Sequence, residues 1–255
     1  MVRRLDGKVI LVAGAGAIGN ELASRYAAEG ASVVLGDINE ELARSTVDRI
    51  VSEGGRATST HLDGSDESSL GAAVALCRDS YGGLDGAHLN YVAFEDNLAD
   101  NGVMELDLAS FDRLMHVNVR GFFLATRAVL PEMIKRGGGS IVYTSSTAAF
   151  DGGRQRVAYA ISKTAILALM RHVSTRHGPD GIRANAIAPG FIAWPNRPDI
   201  YTPEIVEHAK LGQRIKSRIG HPNDIAAMGA HLMSDDGSFI TGQTFAVDGG
   251  LTMRA

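Results

Sequence analysis

Short runs of apolar residues alternate with longer stretches of helical periodicity along most of this chain of 255 residues. Such alternation is typical of strand–helix–strand units, in which helices join parallel strands. The polar run at 56–62 is the exception among the strands, and its character is typical of a sheet edge. We predict strands over residues 8–13, 32–36, 56–62, 84–89, 140–144, 182–188 and 244–247.

Glycine, proline and capping residues mark the ends of the helices between these strands. A loop with prolines at 195, 198 and 203 interrupts the alternation, and no change of composition marks a linker. We predict helices over 18–29, from Asn39 to 53, from a Ser65 cap to 81, in two pieces between 107 and 136, over 157–177, and from Pro222.

These elements predict an α/β fold, with one doubly wound domain of the Rossmann type over residues 1–255. We expect a mostly parallel seven-stranded sheet with helices on both faces, and a substrate-lid segment at about 190–215. Right-handed crossovers would place ligands at the carboxyl ends of the strands, near the switch in strand order.

The composition excludes several classes of protein. A 45% hydrophobic chain of this length can bury a sizeable core. Its 25 basic and 29 acidic residues give a net charge of −4, so we expect no nucleic-acid partner. The chain contains no run of about 18 apolar residues, so we expect no membrane span. The single Cys77 fits a reducing, cytoplasmic location, and the histidine spacings predict no metal site.

A glycine-rich turn follows the first predicted strand and opens the first helix. Its G-x-G-x-x-G spacing is a weak signal alone, because glycine is common in turns, but the strand–turn–helix context strengthens it. Glycines here allow the backbone to approach a pyrophosphate at the helix N-terminus. We therefore predict cofactor contacts from Gly14, Gly16, Ala17, Ile18 and Gly19.

Asp37 ends the second predicted strand, eighteen residues after Gly19. A carboxylate in this place accepts hydrogen bonds from the adenosine ribose hydroxyls and repels a 2′-phosphate. The spacing therefore favours NAD over NADP. The alternative is an aspartate that caps a helix or is merely solvated.

Tyr159 and Lys163 are four residues apart on a predicted helix, so both project from one face. A phenol with a pKa of about 10 transfers protons poorly at neutral pH, and a nearby ammonium favours the phenolate. On most helices such a pair would only decorate the surface. Ser146 lies thirteen residues before Tyr159, and Asn118 lies in an earlier helical segment; both add to the pattern.

Together with other segments, these residues resemble the short-chain dehydrogenase/reductase family over almost the whole chain. The matching segments are His116-Val-Asn118-Val-Arg-Gly121, Ser145-Ser146, Tyr159-Ala-Ile-Ser-Lys163, Asn185-Ala-Ile-Ala-Pro189-Gly190, Ser238-Phe-Ile-Thr-Gly242 and Val247-Asp-Gly-Gly250. Three features depart from the family pattern: a first turn shorter by one residue, Leu89-Asn90-Tyr91-Val92 in place of Asn-Asn-Ala-Gly, and Trp194 in place of a threonine.

The resemblance implies roles for the four residues of the catalytic pattern. Tyr159 would be the acid/base, and Ser146 would hydrogen-bond the substrate oxygen. Lys163 would bind the nicotinamide ribose and lower the pKa of the tyrosine, while Asn118 would hold a water of the proton relay. The resemblance also implies a homotetramer and further cofactor contacts from Ile38, Asp63, Gly64, Asn90, Pro189 and Ile192.

Two further features bear on the substrate. Arg154 and Arg156 lie between Ser146 and Tyr159, where the chain passes the mouth of the site. They are either a clamp for an acidic substrate, since arginine presents a bidentate fork for carboxylates, or part of a solvated loop. Phe191 and Trp194 are candidates for an apolar lid, or pack the loop onto its own helix.

We therefore predict an NAD-dependent oxidoreductase that interconverts a small-molecule secondary alcohol and a ketone. One alternative is an NADPH-dependent 3-oxoacyl thioester reductase. Asp37 disfavours it, and so does Asn20, which stands where a basic residue would help to bind a 2′-phosphate. Another alternative is a catalytically inactive, nucleotide-sensing binding module, since fold does not fix function.

Overall fold

The computed structural model describes residues 3–93, 96, 100–153, 155–194 and 202–253. In these ranges seven strands form one sheet in the order β3-β2-β1-β4-β5-β6-β7, and every neighbouring pair is parallel. The strands are β1 (Val9–Ala13), β2 (Ser32–Asp37), β3 (Arg56–His61), β4 (Gly86–Leu89), β5 (Gly139–Thr144), β6 (Ile182–Pro189) and β7 (Thr244–Val247).

Helices cover both faces of this sheet. One core cluster includes buried residues of the third, fifth and sixth helices, and the other includes residues of the first, second and eighth. The described helices are α1 (Gly16–Ala28), α2 (Glu40–Ser52), α3 (Glu67–Tyr81), α4 (Leu108–Leu114), α5 (Phe122–Lys135), α6 (Val157–His177), α7 (Pro203–Gly212) and α8 (Pro222–Met233). The predicted doubly wound, seven-stranded fold is confirmed, and the sheet is entirely parallel.

The burial of the strands follows from this two-sided cover. All five residues of β1 are buried, which explains its unbroken apolar sequence. By contrast, β3 has only one buried residue and forms the edge of the sheet, as its polar sequence predicts.

Three local predictions are wrong. The proline-dotted loop contains α7, because Pro203 occupies the first helical position and Thr202 accepts a hydrogen bond from the Ile205 N–H at 3.4 Å. Asp66 rather than Ser65 caps α3, since its carboxylate accepts the Ser68 N–H. The region between 107 and 136 is a single helical stretch, in which a π-helical segment, Met115–Gly121, joins α4 to α5.

A chain of buried polar side chains links α1 to the carboxyl end of β5. The Tyr26 hydroxyl lies 2.7 Å from Nδ1 of His88, and Nε2 of His88 lies 3.0 Å from Oγ1 of Thr144. Tyr26 and His88 are fully buried. Burial lowers the pKa of His88 to about 3, so the imidazole stays neutral and can only donate from one nitrogen and accept at the other.

This pKa predicts a loss of stability in mild acid. The folded pKa lies below the unfolded value of about 6.5, so neutral His88 contributes stability above that pH. The contribution is lost as the pH falls from about 6.5 towards 3. At pH 5 the free energy of unfolding should be lower by about 2 kcal/mol through this group alone. Urea unfolding at pH 7.5 and pH 5.0 measures the difference.

His88→Leu should be less stable at pH 7.5 and should lose clearly less stability than the wild type on going to pH 5.0. Ser140→Ala is the matched control, because the Ser140 hydroxyl is buried in the same sheet and donates to the Leu232 carbonyl at 2.8 Å. It removes a buried hydrogen bond but no titrating group. An equal acid-induced loss in His88→Leu and wild type would contradict the assignment.

Candidate active site

A cavity of about 920 Å³ opens at the carboxyl ends of the strands. Its walls come from the residues that end or follow β1 to β6 and from the start of α6. All the predicted site residues in the described ranges line this cavity except Gly19 and Asn118, which are buried behind it. Arg154 lies outside the described residues.

The glycine turn brings β1 and α1 into close contact. A Cβ atom on Gly19 would lie 1.9 Å from the carbonyl oxygen of Gly14, and Gly14 itself has a left-handed φ of 97°. The first residues of α1 line the cavity, and no side chain caps this helix start. The first N–H groups and the positive end of the helix dipole are therefore available to a ligand in the cavity. This is the local structure that the glycine spacing predicts for an anion site.

Asp37 connects the end of β2 to this turn. One carboxylate oxygen accepts the Ala15 N–H at 2.7 Å and the other accepts the Asn39 N–H at 2.8 Å. The alternative of a helix cap is wrong, because Asn39 caps α2 by accepting the Leu42 N–H. Each carboxylate oxygen keeps lone-pair capacity for a further donor at the cavity wall.

Asn90, the one asparagine kept from the family pattern, supports the turn from below. Its Nδ2 donates to the Gly14 carbonyl at 3.2 Å, and its own N–H donates to the Ala13 carbonyl at 2.8 Å. The end of β4 is thereby tied to the end of β1.

Tyr159 and Ser146 both line the cavity, and the Ser146 side chain is close enough to lower the pKa of the Tyr159 phenol. Ser146 follows β5, where its Oγ also accepts the Ala148 N–H at 3.1 Å. Burial raises the pKa of Tyr159, while the Ser146 side chain and the positive charge of Arg156 lower it without cancelling the effect of burial. The two hydroxyls thus form a pair that a substrate oxygen can join.

Lys163 lies beneath this pair and is almost fully buried. Its Nζ donates to the Thr144 carbonyl at 2.9 Å and lies 5.6 Å from the centre of the Tyr159 ring. Burial lowers the pKa of Lys163 to about 7. The role of Lys163 in lowering the pKa of Tyr159 stays a prediction.

Asn118 is buried in the π-helical segment, and its side chain joins two parts of the site. Its Oδ1 accepts the Ala93 N–H at 3.0 Å, and its Nδ2 donates to Oγ of Ser162 at 3.1 Å. Ser162 in turn donates to the Tyr159 carbonyl at 2.8 Å. The role of Asn118 in holding a water stays a prediction.

Asp100 is a site residue that the sequence analysis missed. Its carboxylate accepts the Tyr159 N–H at 2.7 Å, and its carbonyl accepts the Arg156 N–H at 3.2 Å, so it caps the catalytic helix from a separate loop. Arg156 occupies the N-cap position with a left-handed φ of 65° and no side-chain cap. Arg156 is not one of the residue types that usually cap a helix, and from this the sequence could have indicated that a residue from elsewhere caps α6.

The segment after β6 crosses the cavity towards the glycine turn. Ile192 forms a parallel bridge with Gly220, and the Ala193 N–H donates to the Gly220 carbonyl at 2.8 Å. Beyond this anchor, the Trp194 ring lies 4.0 Å from the place that a Cβ on Gly16 would occupy. Pro189, Phe191 and Trp194 therefore form one wall that spans from β6 to α1.

The described residues contain neither a candidate metal site nor a candidate membrane span. No three histidine, cysteine or acidic side chains gather there in a way that could hold a metal ion. None of the helices in the described ranges combines the length and apolar character that a membrane crossing requires.

Comparison with known proteins gives a consistent result. A family model described as enoyl-(acyl carrier protein) reductase matches residues 12–252. The chain is 37% identical over 250 residues to a 7α-hydroxysteroid dehydrogenase of Escherichia coli K12, covering 97% of this chain and 95% of that protein. It is 32% identical over 255 residues to a cyclohexanol dehydrogenase of Acinetobacter sp. SE19, covering 100% and 98% of the two chains.

A solved structure of a 7α-hydroxysteroid dehydrogenase in complex with NADH and 7-oxo glycochenodeoxycholic acid superposes with a TM-score of 0.90. The two chains are 36% identical, and the match covers 97% of this chain and 95% of the other. With the parallel sheet, the glycine turn and the Ser146–Tyr159–Lys163 arrangement, these similarities establish that the chain belongs to the short-chain dehydrogenase/reductase family.

Proposed function

We propose that this protein is an NAD-dependent oxidoreductase that interconverts a secondary alcohol and a ketone, with Tyr159 as the acid/base. The observation that carries the proposal is the hydroxyl pair of Ser146 and Tyr159 on the cavity wall, with the Lys163 amine beneath it. The names of two relatives, a hydroxysteroid and a cyclohexanol dehydrogenase, agree with a cyclic secondary alcohol as the substrate class.

The residues along the cavity fit a nicotinamide dinucleotide. The close Gly14–Gly19 contact and the uncapped start of α1 suit a pyrophosphate, and the Asp37 carboxylate suits ribose hydroxyls. Pyrophosphate at β1 and ribose at β2 leave the region near β5, with Tyr159 and Lys163, for the nicotinamide half. When bound, the nicotinamide supplies or accepts the hydride.

Each catalytic residue then has a defined task. In alcohol oxidation Tyr159 accepts the hydroxyl proton, and in the reverse direction it donates a proton to the ketone oxygen. Ser146 hydrogen-bonds the same oxygen. Lys163 binds the nicotinamide ribose, and its low pKa lets it take up or release a proton near neutral pH. Asp100, which caps the helix at Tyr159, fixes the position of the acid/base.

A reductase of 3-oxoacyl thioesters with NADPH is the second candidate. The matching family model, described as enoyl-(acyl carrier protein) reductase, agrees with a thioester substrate but names a different reaction. A nucleotide-binding module without activity is the third. A screen with both cofactors against sterols, cyclic alcohols, hydroxy acids, sugars and a 3-oxoacyl thioester separates the three. Turnover of an alcohol with NAD supports the first, thioester reduction with NADPH the second, and binding without turnover the third.

On the substrate side, we propose that Arg156 binds an acidic group. Its side chain lines the cavity next to Tyr159, lowers the pKa of that phenol by its charge, and has no ion-pair partner among the described residues. The apolar wall at Phe191 and Trp194 would cover the rest of the substrate. Arg154, the other residue of the predicted clamp, lies outside the described residues.

The homotetramer and the cytoplasmic location stay predictions. The exposed apolar side chains of Leu108, Phe123 and Ile161 on α4, α5 and α6 favour contacts between copies of the chain.

Tyr159→Phe tests proton transfer, because it removes one hydroxyl and keeps the ring. We expect kcat on the best alcohol of the screen to fall at least ~10²-fold, with NADH affinity retained in calorimetry. Tyr81→Phe is the matched control: its hydroxyl bonds Oγ1 of Thr58 away from the cavity, so activity should be unchanged. A Tyr159→Phe enzyme that keeps most of its rate would show that another group moves the proton.

Asp37 variants test cofactor choice. Wild-type protein should bind NADH at least ~10-fold more tightly than NADPH, since one charge-assisted hydrogen bond is worth about 1.5–3 kcal/mol. Asp37→Asn should reduce the difference between the NADH and NADPH affinities, because it removes the charge but can still accept the Ala15 N–H. Asp37→Ala should reduce this difference too. Calorimetric titration with both cofactors measures the ratio. Equal or reversed affinities in the wild type would overturn the NAD assignment.

Arg156 variants test the acidic-substrate proposal with one alcohol as its free acid and as its methyl ester. Arg156→Gly removes the charge and suits the left-handed backbone, so the KM for the acid should rise roughly tenfold to over a hundredfold. The ester should respond little, and Arg156→Lys should keep most of the preference for the acid. If acid and ester change equally, Arg156 belongs to the solvated loop instead.

A further inference from the structure

Tyr91, which replaces a small residue of the family pattern, occupies a space made by two glycines. A Cβ on Gly64 would lie 2.4 Å from Cε2 and 2.6 Å from Cζ of the Tyr91 ring, closer than real Cβ atoms come to any neighbour. A Cβ on Gly121 would lie 3.3 Å from the same Cε2. The ring therefore stands where a side chain at position 64 would otherwise stand.

The ring is held firmly in this place. Phe122, which is fully buried, packs against Tyr91 with ring centres 4.7 Å apart and a tilt of 58°. The Tyr91 hydroxyl is buried and has no hydrogen-bond partner among the described residues. Packing of the ring, rather than a hydrogen bond of the hydroxyl, therefore holds this side chain in place.

Tyr91 and Gly64 both line the cavity, at the end that the adenosine half would occupy. Gly64 follows β3, which lies next to β2 and its terminal Asp37 at the edge of the sheet. With pyrophosphate at β1 and ribose at Asp37, the base extends towards β3, away from Tyr159 at β5.

We propose that the Tyr91 ring is the wall against which the adenine base binds, in place of the side chain missing at Gly64. Tyr91 and Gly64 then form one unit, in which neither residue can change alone without damage to the adenine site. The inference rests on the proposed dinucleotide function and assigns a specificity residue within it.

The test measures binding of ADP-ribose, which carries the adenine half, and of reduced nicotinamide mononucleotide, which lacks it. Tyr91→Ala should weaken ADP-ribose binding by roughly fivefold to a hundredfold, the range found when aromatic residues that contact bases are replaced by alanine. Binding of the mononucleotide should be unchanged. Tyr91→Phe should bind both ligands as the wild type does, because only the unpaired hydroxyl is lost.

Position 64 completes a double-mutant cycle. Gly64→Val should weaken ADP-ribose binding and lower the melting temperature, because the new side chain collides with the ring. The double variant Gly64→Val/Tyr91→Ala should bind ADP-ribose with an affinity within a few fold of wild type. This affinity would be much higher than the one expected if the losses in the two single variants simply added. Gly64→Ala adds one methyl group and tests the same collision without any change at Tyr91.

Tyr81→Ala is the matched control for stability. Tyr81 is a second partly buried tyrosine packed on the same core cluster, but it lies outside the cavity walls. It should lower the melting temperature and leave ADP-ribose affinity unchanged.

Unchanged ADP-ribose affinity in Tyr91→Ala, or in Gly64→Ala should the first variant not fold, would overturn the proposal. Simple additivity in the double variant would overturn the pairing. A wild-type protein that binds NADH and the mononucleotide but not ADP-ribose would overturn only this inference. A wild type that binds none of the three would overturn the dinucleotide function as well.

Discussion

Parallel strands cannot be joined by tight turns, so each strand in this sheet is joined to the next one along the chain by a crossover that carries a helix over one face. Two consequences follow from this one constraint. Both faces are covered, which demands the unbroken apolar strands such as β1 at the centre. All strand ends of one kind also meet at one edge, which gathers Asp37, Ser146 and the glycine turn around a single cavity although they are far apart in sequence.

Within that edge, Thr144 is the residue at which the two sides of the sheet meet. Its carbonyl receives the Lys163 ammonium from α6, and its hydroxyl contacts His88, which continues the contact to Tyr26 of α1. Burial lowers the pKa of this amine, because desolvation disfavours its charged form. Its hydrogen bond to the Thr144 carbonyl ties the amine to the main chain of β5.

The sequence predicts the architecture well where local signals and tertiary packing agree. The bounds of α6 and β7 match the prediction, and the glycine spacing correctly predicts the tight β1–α1 turn. The helix α7 was not predicted because proline usually interrupts a helix. Pro203 is instead compatible with a helix start, since Thr202 directly before it is the N-cap.

Other features could not be predicted because they depend on contacts between distant segments. Asp100 caps α6 from a loop more than fifty residues away, and no local pattern links the two. The pKa of Lys163 depends on burial, so a motif that identifies the residue does not reveal its charge state. The place of the Tyr91 ring depends on glycines from two other elements, which only the fold brings together.

The π-helical segment Met115–Gly121 also has a consequence for how chain length can vary here. A π-helical turn holds an extra residue compared with an α-helical one, so the segment accommodates an insertion without breaking the helix. Deletion of one residue would convert the segment to regular α-helix and move the side chains within it, while α4 and α5 keep their faces. Asn118 would then lose its hydrogen bonds to Ala93 and Ser162. The number of residues in the π-helical segment is therefore constrained by the position that Asn118 must keep.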